Sequence, residues 1–473
     1  MILSNGKADR ETRRLMSVLE PQYEFELDEA LAKIRESLQG EDMEKFRSDF
    51  LDYHLYDQAQ IYLALAPEER IAMYNYLSVN EMADMFEIIE EDVESIEAYL
   101  LEMNNQYAAD MLANMYADNA VDMLKQLKDE RIWLYLRLMP IEAAKEIRAL
   151  LNYEDETAGA IMTPEFVSIV ANQTVRSAMA ILKSKAPDAE TIYYIYVVNV
   201  DNVLVGVISL RDLIVNDEDM MIGDIMSERI VSVNVNEGQE DVAHKIRDYD
   251  FLAVPVVDEN NVLLGIITVD DIIDVIDEEA VSDFSGLAGV DVEEQSENPF
   301  VAASKRLPWL ITLLFLGMGT STLISQYEGL ISDASILSVF VTLITGTSGN
   351  AGTQSLAVAV RKIGMQDDEE KNLFRTILSE LATGVISGLV TGVTIALVIG
   401  VWKQNFILGG IIGISMLVAI TVANLAGSLI PVLMDRLGFD PAVASGPFIS
   451  TFSDLTSVLI YFNIAKHFIN TLM

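Results

Sequence analysis

Cysteine is absent from this 473-residue chain, which excludes disulfides, thiolate metal sites and cysteine nucleophiles. Histidine is almost absent. His54, His244 and His467 are scattered, so no Ser/His/Asp set is legible, and there is no Gly-x-x-x-x-Gly-Lys phosphate loop. An enzyme is therefore not indicated. Basic residues are scarce too, with 31 Lys and Arg against 73 Asp and Glu and a formal charge of −42. Such a chain repels nucleic acid and anionic lipid and attracts cations. Met1 to Glu20 is mixed and charged, without the apolar core of a secretion signal.

The charge that is present is divided unevenly. From Ser304 onward lie 9 of the 31 basic and 10 of the 73 acidic residues, leaving 22 basic and 63 acidic in residues 1–303. A strongly acidic block thus precedes a nearly neutral one. With 51% apolar residues and a mean hydropathy of +0.28, the chain combines soluble parts with membrane segments.

Residues 1–152 read as short helices. Apolar residues recur at three-to-four spacing in Ala59–Leu65, Ile71–Leu77, Ala108–Met115, Ala120–Leu124 and Trp133–Leu136, loosely repeated as helix–turn–helix units, which predicts an all-α N-terminal helical solenoid. From about 153 to 278 the pattern changes. Two copies follow the order helix, strand, acidic turn, strand with a central glycine, helix. The first has Thr191–Val198, Asp201-Asn202, Leu204–Ser209 and Leu210–Ile214; the second has Ala253–Val257, Asp258–Asn261, Leu263–Thr268 and Val269–Ile273. Ala160-Ile161-Met162-Thr163-Pro164 is echoed by Asp224-Ile225-Met226-Ser227. This internal repeat of about 60 residues resembles a tandem pair of CBS domains, 158–216 and 222–278, of α/β class. Residues 279–304 are acidic and helical in character, a long connecting helix that ends in Lys305-Arg306-Leu307-Pro308-Trp309, a basic and aromatic membrane entry.

In 305–473 five hydrophobic runs, at about 307–327, 335–360, 376–401, 406–433 and 447–469, each supply the ~20 residues that cross a ~30 Å hydrocarbon core. Lys305, Arg306, Arg361, Lys362, Lys371, Arg375 and Arg436 mark one side, and Lys403 breaks the pattern between the third and fourth runs. The expected orientation is N-terminus cytoplasmic and C-terminus extracytoplasmic, in an inner or plasma membrane. Gly384, Gly388 and Gly392 lie four apart and share one helical face, which allows close helix contact. The run Gly346-Thr347-Ser348-Gly349-Asn350-Ala351-Gly352 can loosen or break the second span, and Pro431, Pro441 and Pro447 add boundaries or kinks. Asp454 sits in the last span with no Lys or Arg within the apolar stretch from Ser450 to Phe462. A carboxylate at that depth faces a bundle interior or an aqueous path, and a passing cation is its natural partner.

Three segments carry a closer resemblance: Gly349-Asn350-Ala351-Gly352-Thr353-Gln354-Ser355-Leu356-Ala357-Val358, Leu437-Gly438-Phe439-Asp440-Pro441-Ala442, and Ser445-Gly446-Pro447 through Asp454. Together with Lys305–Leu310 they resemble the MgtE magnesium channels, over essentially the whole chain. The resemblance implies a multidomain membrane protein: helical solenoid, CBS pair, connecting plug helix and five-helix transmembrane domain. It implies a homodimer in membrane lipid with a pore between subunits, where Asp454 holds a hydrated Mg²⁺ beside Gly446, Ser450, Asn350, Thr353 and Gln354. It implies Mg²⁺ sensing by Glu240, Asp250, Asp271, Asp274, Glu279 and Asp283, whose repulsion a bound ion screens to favour closure. It also raises ATP at the CBS pair, with Asp212 and Asp271 placed to contact ribose.

Two positions depart from the family pattern. Gly238 stands where an acid is common, and Val281-Ser282-Asp283 where Thr-Glu-Asp is usual; both changes predict weaker regulation. The competing readings are a carrier for other divalent cations such as Co²⁺ or Mn²⁺, a cation-coupled Mg²⁺ transporter, and a sensor without transport. Asp454 and the glycine-rich second span argue against the last.

Overall fold

The computed structural model describes residues 25–40, 42–89, 93–290, 292, 299–363, 373–437 and 446–472. The motif residues Gly438–Ser445, the loop base Lys371 and the acidic Glu293-Glu294 lie outside them. The chain forms two compact units, Met1–Ile272 and Ile273–Met473.

Among the described residues the first unit begins with ten short helices: α1 (Leu27–Gln39), α2 (Met43–Phe50), α3 (Leu55–Ala64), α4 (Pro67–Met73), α5 (Val79–Phe86), α6 (Val93–Glu102), α7 (Asn105–Leu112), α8 (Ala117–Lys125), α9 (Asp129–Leu138) and α10 (Ile141–Leu150). Packing runs α1 on α3, α3 on α5, α5 on α7, α7 on α9 and α8 on α10, the nearest-neighbour stacking of a solenoid. Local signals start these helices. Ser78 and Glu81 form a capping box on α5, and Glu81 also takes Arg47 in a two-pronged ion pair (2.6 and 2.8 Å) that fastens α5 to α2. The Met and aromatic stripes are core: Phe46, Phe50, Tyr62, Met73, Met82, Met85 and Phe86 are all fully buried.

The repeat follows as two three-stranded sheets with α11 (Val175–Lys185), α12 (Leu210–Val215), α13 (Ile222–Ile225) and α14 (Gln239–Tyr249) around them. In the first, β1 (Ser168–Val170) runs parallel to β2 (Tyr194–Val198), which pairs antiparallel with β3 (Leu204–Ser209). In the second, β4 (Val233–Asn234), β5 (Ala253–Val257) and β6 (Leu263–Thr268) repeat that order. Asn202 and Asn261 occupy equivalent turn positions with φ 63° in both copies. The two turns exchange bonds, Leu204 N–H to the Asn261 carbonyl (2.9 Å) and Leu263 N–H to the Asn202 carbonyl (3.1 Å), so the copies are related by a local two-fold.

The connecting helix differs from expectation. It is α15 (Val269–Ala288), which begins at the last strand of the repeat and stops well short of 304. Gly289 ends it with φ +68°, and a Cβ there would collide with the Trp309 indole, so only glycine fits this turn.

In the second unit the long helices are α16 (Pro299–Gln326), α18 (Ser338–Ile363), α19 (Leu373–Trp402), α20 (Phe406–Arg436) and α21 (Gly446–Leu472), with the short α17 (Glu328–Asp333) after the first. Among the described residues four of them, α16, α19, α20 and α21, are long and apolar enough to cross a membrane. The fifth, α18, has the length, but its Gly-Thr-Ser-Gly-Asn run leaves it too polar to qualify by hydropathy. That run does not break the helix: α18 is continuous from Ser338 to Ile363. Its glycines serve close packing instead, as the next subsection describes. Pro431 lies inside α20 and Pro447 in the first turn of α21. The shared face of Gly384, Gly388 and Gly392 meets α20 as expected, with a Cβ on Gly388 falling 2.7 Å from the Leu417 carbonyl and one on Gly392 2.5 Å from that of Gly413.

Candidate metal sites

α21 brings Gly446, Ser450 and Asp454 to successive turns, each about 40° around the helix from the last. The neighbouring face of α21 meets α18. A Cβ on Gly349 would lie 2.9 Å from Ser450 Oγ, and one on Gly352 would lie 2.9 Å from Ser453 Oγ. Farther along, Ser348 Oγ and Ser457 Oγ share a buried 2.6 Å hydrogen bond. Asp454 is half-buried at this seam, one residue on from fully buried Ser453. Thr353 is half-buried and reaches the start of α21, its Cγ2 3.8 Å from where a Gly446 Cβ would stand, while its hydroxyl donates to the Asn350 carbonyl (3.1 Å). Thr353 thus approaches Gly446, with Ser450 and Asp454 on the following turns of α21. The Asn350 and Gln354 side chains are exposed on the free side of α18.

Leu287, near the end of α15, reaches the same place. It packs against Leu356, Val360 and Ile449, and its carbonyl lies 2.9 Å from a Cβ built on Gly446. Sequence reasoning passed over Leu287; the signal was an apolar tail, Phe284-Ser285-Gly286-Leu287, on an otherwise acidic helix.

In the first unit, Asp118 of α8, Glu190 and Asp271 of α15 converge, with ligand oxygens within 4.8 Å of one another. Among the described residues this is the one group of three or more carboxylates or histidines so arranged. Thr268 Oγ1 bridges Glu190 (3.2 Å) and Asp271 (2.5 Å). Asp118 is only 5% exposed. Burial drives its carboxyl well above the usual range, and repulsion from Glu190 and Asp271 adds to this. Glu190 is pushed up to about 8 by burial and then by Asp271. Glu165 and Glu87 nearby are raised chiefly by burial. Three acids held this close disfavour one another's ionisation. A divalent cation reverses that penalty, and an all-oxygen set suits a hard ion such as Mg²⁺ or Ca²⁺.

Of the expected sensing residues, Asp271 alone joins this group. Glu240 and Asp274 are exposed, Glu279 and Asp283 are half-buried on α15, and Asp250 is the exposed C-cap of α14 with φ 54°. Asp212 and Asp271 both close helix starts, Asp212 Oδ2 accepting from Ser209 (2.6 Å) and Asp271 Oδ2 from Thr268. Asp118 and Glu190 were not singled out from the sequence. Asp118 carried a legible signal, an acid on the apolar face of α8 among Ala117, Ala120 and Val121. Glu190 follows a short turn and carried none.

The divalent cation transporter family MgtE matches residues 341–464, the MgtE intracellular N domain matches 53–156, and the CBS domain matches 158–218 and 222–278. The magnesium transporter MgtE of Enterococcus faecalis is 66% identical over 443 residues, covering 94% of this chain and 98% of that protein. That of Bacillus subtilis is 37% identical over 447 residues, with the same coverage. A crystal structure of the soluble part of a magnesium transporter is 61% identical, aligns with a TM-score of 0.53, and covers 54% of this chain and all of the other.

Proposed function

Because the chain belongs to the MgtE family of divalent cation transporters, we propose that it forms a homodimeric Mg²⁺ channel, with its acidic N-terminal unit in the cytoplasm and its C-terminus outside. One observation carries the reading: Asp454, half-buried on α21 within an apolar span, stands where α18 and α21 pack through glycine and serine. A single carboxylate holds Mg²⁺ weakly. Two from symmetry mates bind its water shell without stripping it, which suits an ion that dehydrates reluctantly. Thr353, Ser450 and the carbonyls near Gly446 supply further oxygens, and Asn350 and Gln354, exposed on one chain, face the second copy.

Gating follows from the acidic unit. A cation bound by Asp118, Glu190 and Asp271 ties the solenoid to both halves of the repeat and neutralises their repulsion. Glu240, Asp250, Asp274, Glu279 and Asp283 take further ions where two copies meet. Since the ion binds the compact state better, it shifts the population toward closure. Leu287 against Ile449 and Gly446 is the apolar contact through which α15 bears on the pore helices. ATP at the repeat competes with the Ser209–Asp212 and Thr268–Asp271 capping bonds for the same carboxylates.

The test is Mg²⁺ uptake by cells lacking their own importers. Asp454→Ala and Asp454→Asn insert as dimers and lose uptake by roughly tenfold or more, one decade per ~1.4 kcal/mol of lost ion binding. Undiminished uptake by Asp454→Ala refutes the assignment.

A further inference from the structure

α19 carries another acid in apolar surroundings that the ion path does not use. Glu380 is the one carboxylate in the apolar stretch Arg375–Trp402. Its Oε2 accepts from Asn424 Nδ2 of α20 (2.8 Å) and from Ser355 Oγ of α18 (3.2 Å). The Asn424 amide also donates to the Glu380 carbonyl (3.1 Å), and the Ser355 hydroxyl lies 2.8 Å from the Asn424 carbonyl. Ser355 and Asn424 are both more than nine-tenths buried. An acid at this depth persists because it is partnered, and a satisfied buried network fixes geometry more strictly than apolar packing does.

The network acts on α18. Ser348 and Ser355 are seven residues apart, two turns along one face and about 20° from alignment. Ser348 is bonded to Ser457 of α21, Ser355 to the Glu380–Asn424 pair, and between them Gly352 lies against Gly427 of α20. α18 is thus tethered at two levels, once to the helix that carries Asp454 and once to the scaffold of α19 and α20. We propose that Glu380 is a positioning residue, which through Ser355 and Asn424 sets the height and rotation of α18 and hence the spacing between its polar wall and Asp454. Its bearing on transport rests on the ion-path reading above; the clamp itself does not.

The cysteine-free chain permits a direct test. A Cβ on Gly349 would lie 3.8 Å from Ser450 Cβ, inside the ~3.5–4.5 Å range of a disulfide. The full-length Gly349→Cys/Ser450→Cys protein in membranes therefore crosslinks on mild oxidation, and its rate reports the setting of α18 against α21. Adding Glu380→Ala slows crosslinking by roughly fivefold, the effect of losing about one net hydrogen bond. Glu380→Gln, which keeps an acceptor oxygen, recovers most of the rate. Ser355→Ala cuts only the tether to α18, leaves Glu380 with Asn424, and slows crosslinking in the same direction. In the cysteine-free parent, Glu380→Ala and Ser355→Ala also shift the ratio of Mg²⁺ to Co²⁺ uptake, which a loss of folded protein alone does not move. Crosslinking at the parental rate in Ser355→Ala overturns the clamp, even where Glu380→Ala fails to fold. Slowed crosslinking with parental uptake and ion ratio overturns its link to transport.

Discussion

Gly427 on α20 stands directly against the carbonyl of Gly352 on α18, too close for any Cβ to be built on it. The contact lies between the two hydrogen-bonded tethers of α18. Gly427→Ala therefore displaces backbone, at a cost typical of overpacking, ~1–3 kcal/mol. In detergent its thermal midpoint falls and Mg²⁺ uptake drops, whereas Gly410→Ala, whose Cβ would meet open space on the same helix, leaves both unchanged. Equal behaviour of the two variants removes the close approach as an explanation.

The raised carboxyl of Glu190, at about 8, carries a sign. Folding lifts this acid above its unfolded value, so between roughly pH 4.5 and 8 the native state holds more protons than the unfolded one, and stability declines as pH rises through that window. Without divalent cations, the first unit of the full-length protein melts at lower temperature at pH 8 than at pH 5.5. Glu190→Gln flattens the dependence. A melting profile in Glu190→Gln that slopes like the parent's refutes the assignment.

Cation binding at Asp118, Glu190 and Asp271 adds stability as the logarithm of free ion, ~2.7 kcal/mol at a hundredfold excess over the dissociation constant. Mg²⁺ accordingly raises the melting temperature, chelation reverses it, and the rise is larger at pH 8 than at pH 5.5 because binding must displace protons. Asp118→Asn removes most of the Mg²⁺ effect. An undiminished Mg²⁺ shift in Asp118→Asn places the ion elsewhere.

Gly238 N-caps α14 with φ −63°, and a Cβ there meets nothing within 4 Å. Gly238→Asp therefore fits without strain, adds a carboxylate near Glu240, and replaces a cap without a side chain by a good one. Peptide data put the capping gain over glycine at only a few tenths of a kcal/mol. The larger expected effect is on regulation, with closure at lower cytoplasmic Mg²⁺ in patch recordings. An unchanged closing concentration shows that the missing acid at this position is not what sets the threshold.

Much of this protein is legible in its sequence. The acidic block, the repeated strand–turn–strand units, the apolar runs and the lone Asp454 are properties of local composition and period, and the helices and sheets follow them because each is built from neighbours in sequence. The Gly384–Gly388–Gly392 face was readable for the same reason. What local pattern did not decide was anything that depends on residues far apart meeting. The glycine run of α18 looked like a break, yet its outcome depended on whether another helix could fill the space above it, and α21 does so with Ser450 and Ser453. Asp118, Glu190 and Asp271 are unremarkable acids in a chain with 73 of them; burial and mutual approach alone make them a cation site. Spacing along a chain determines which face a side chain shares, but the field it feels and the partner it meets come from segments tens to hundreds of residues away, and those belong to the tertiary structure.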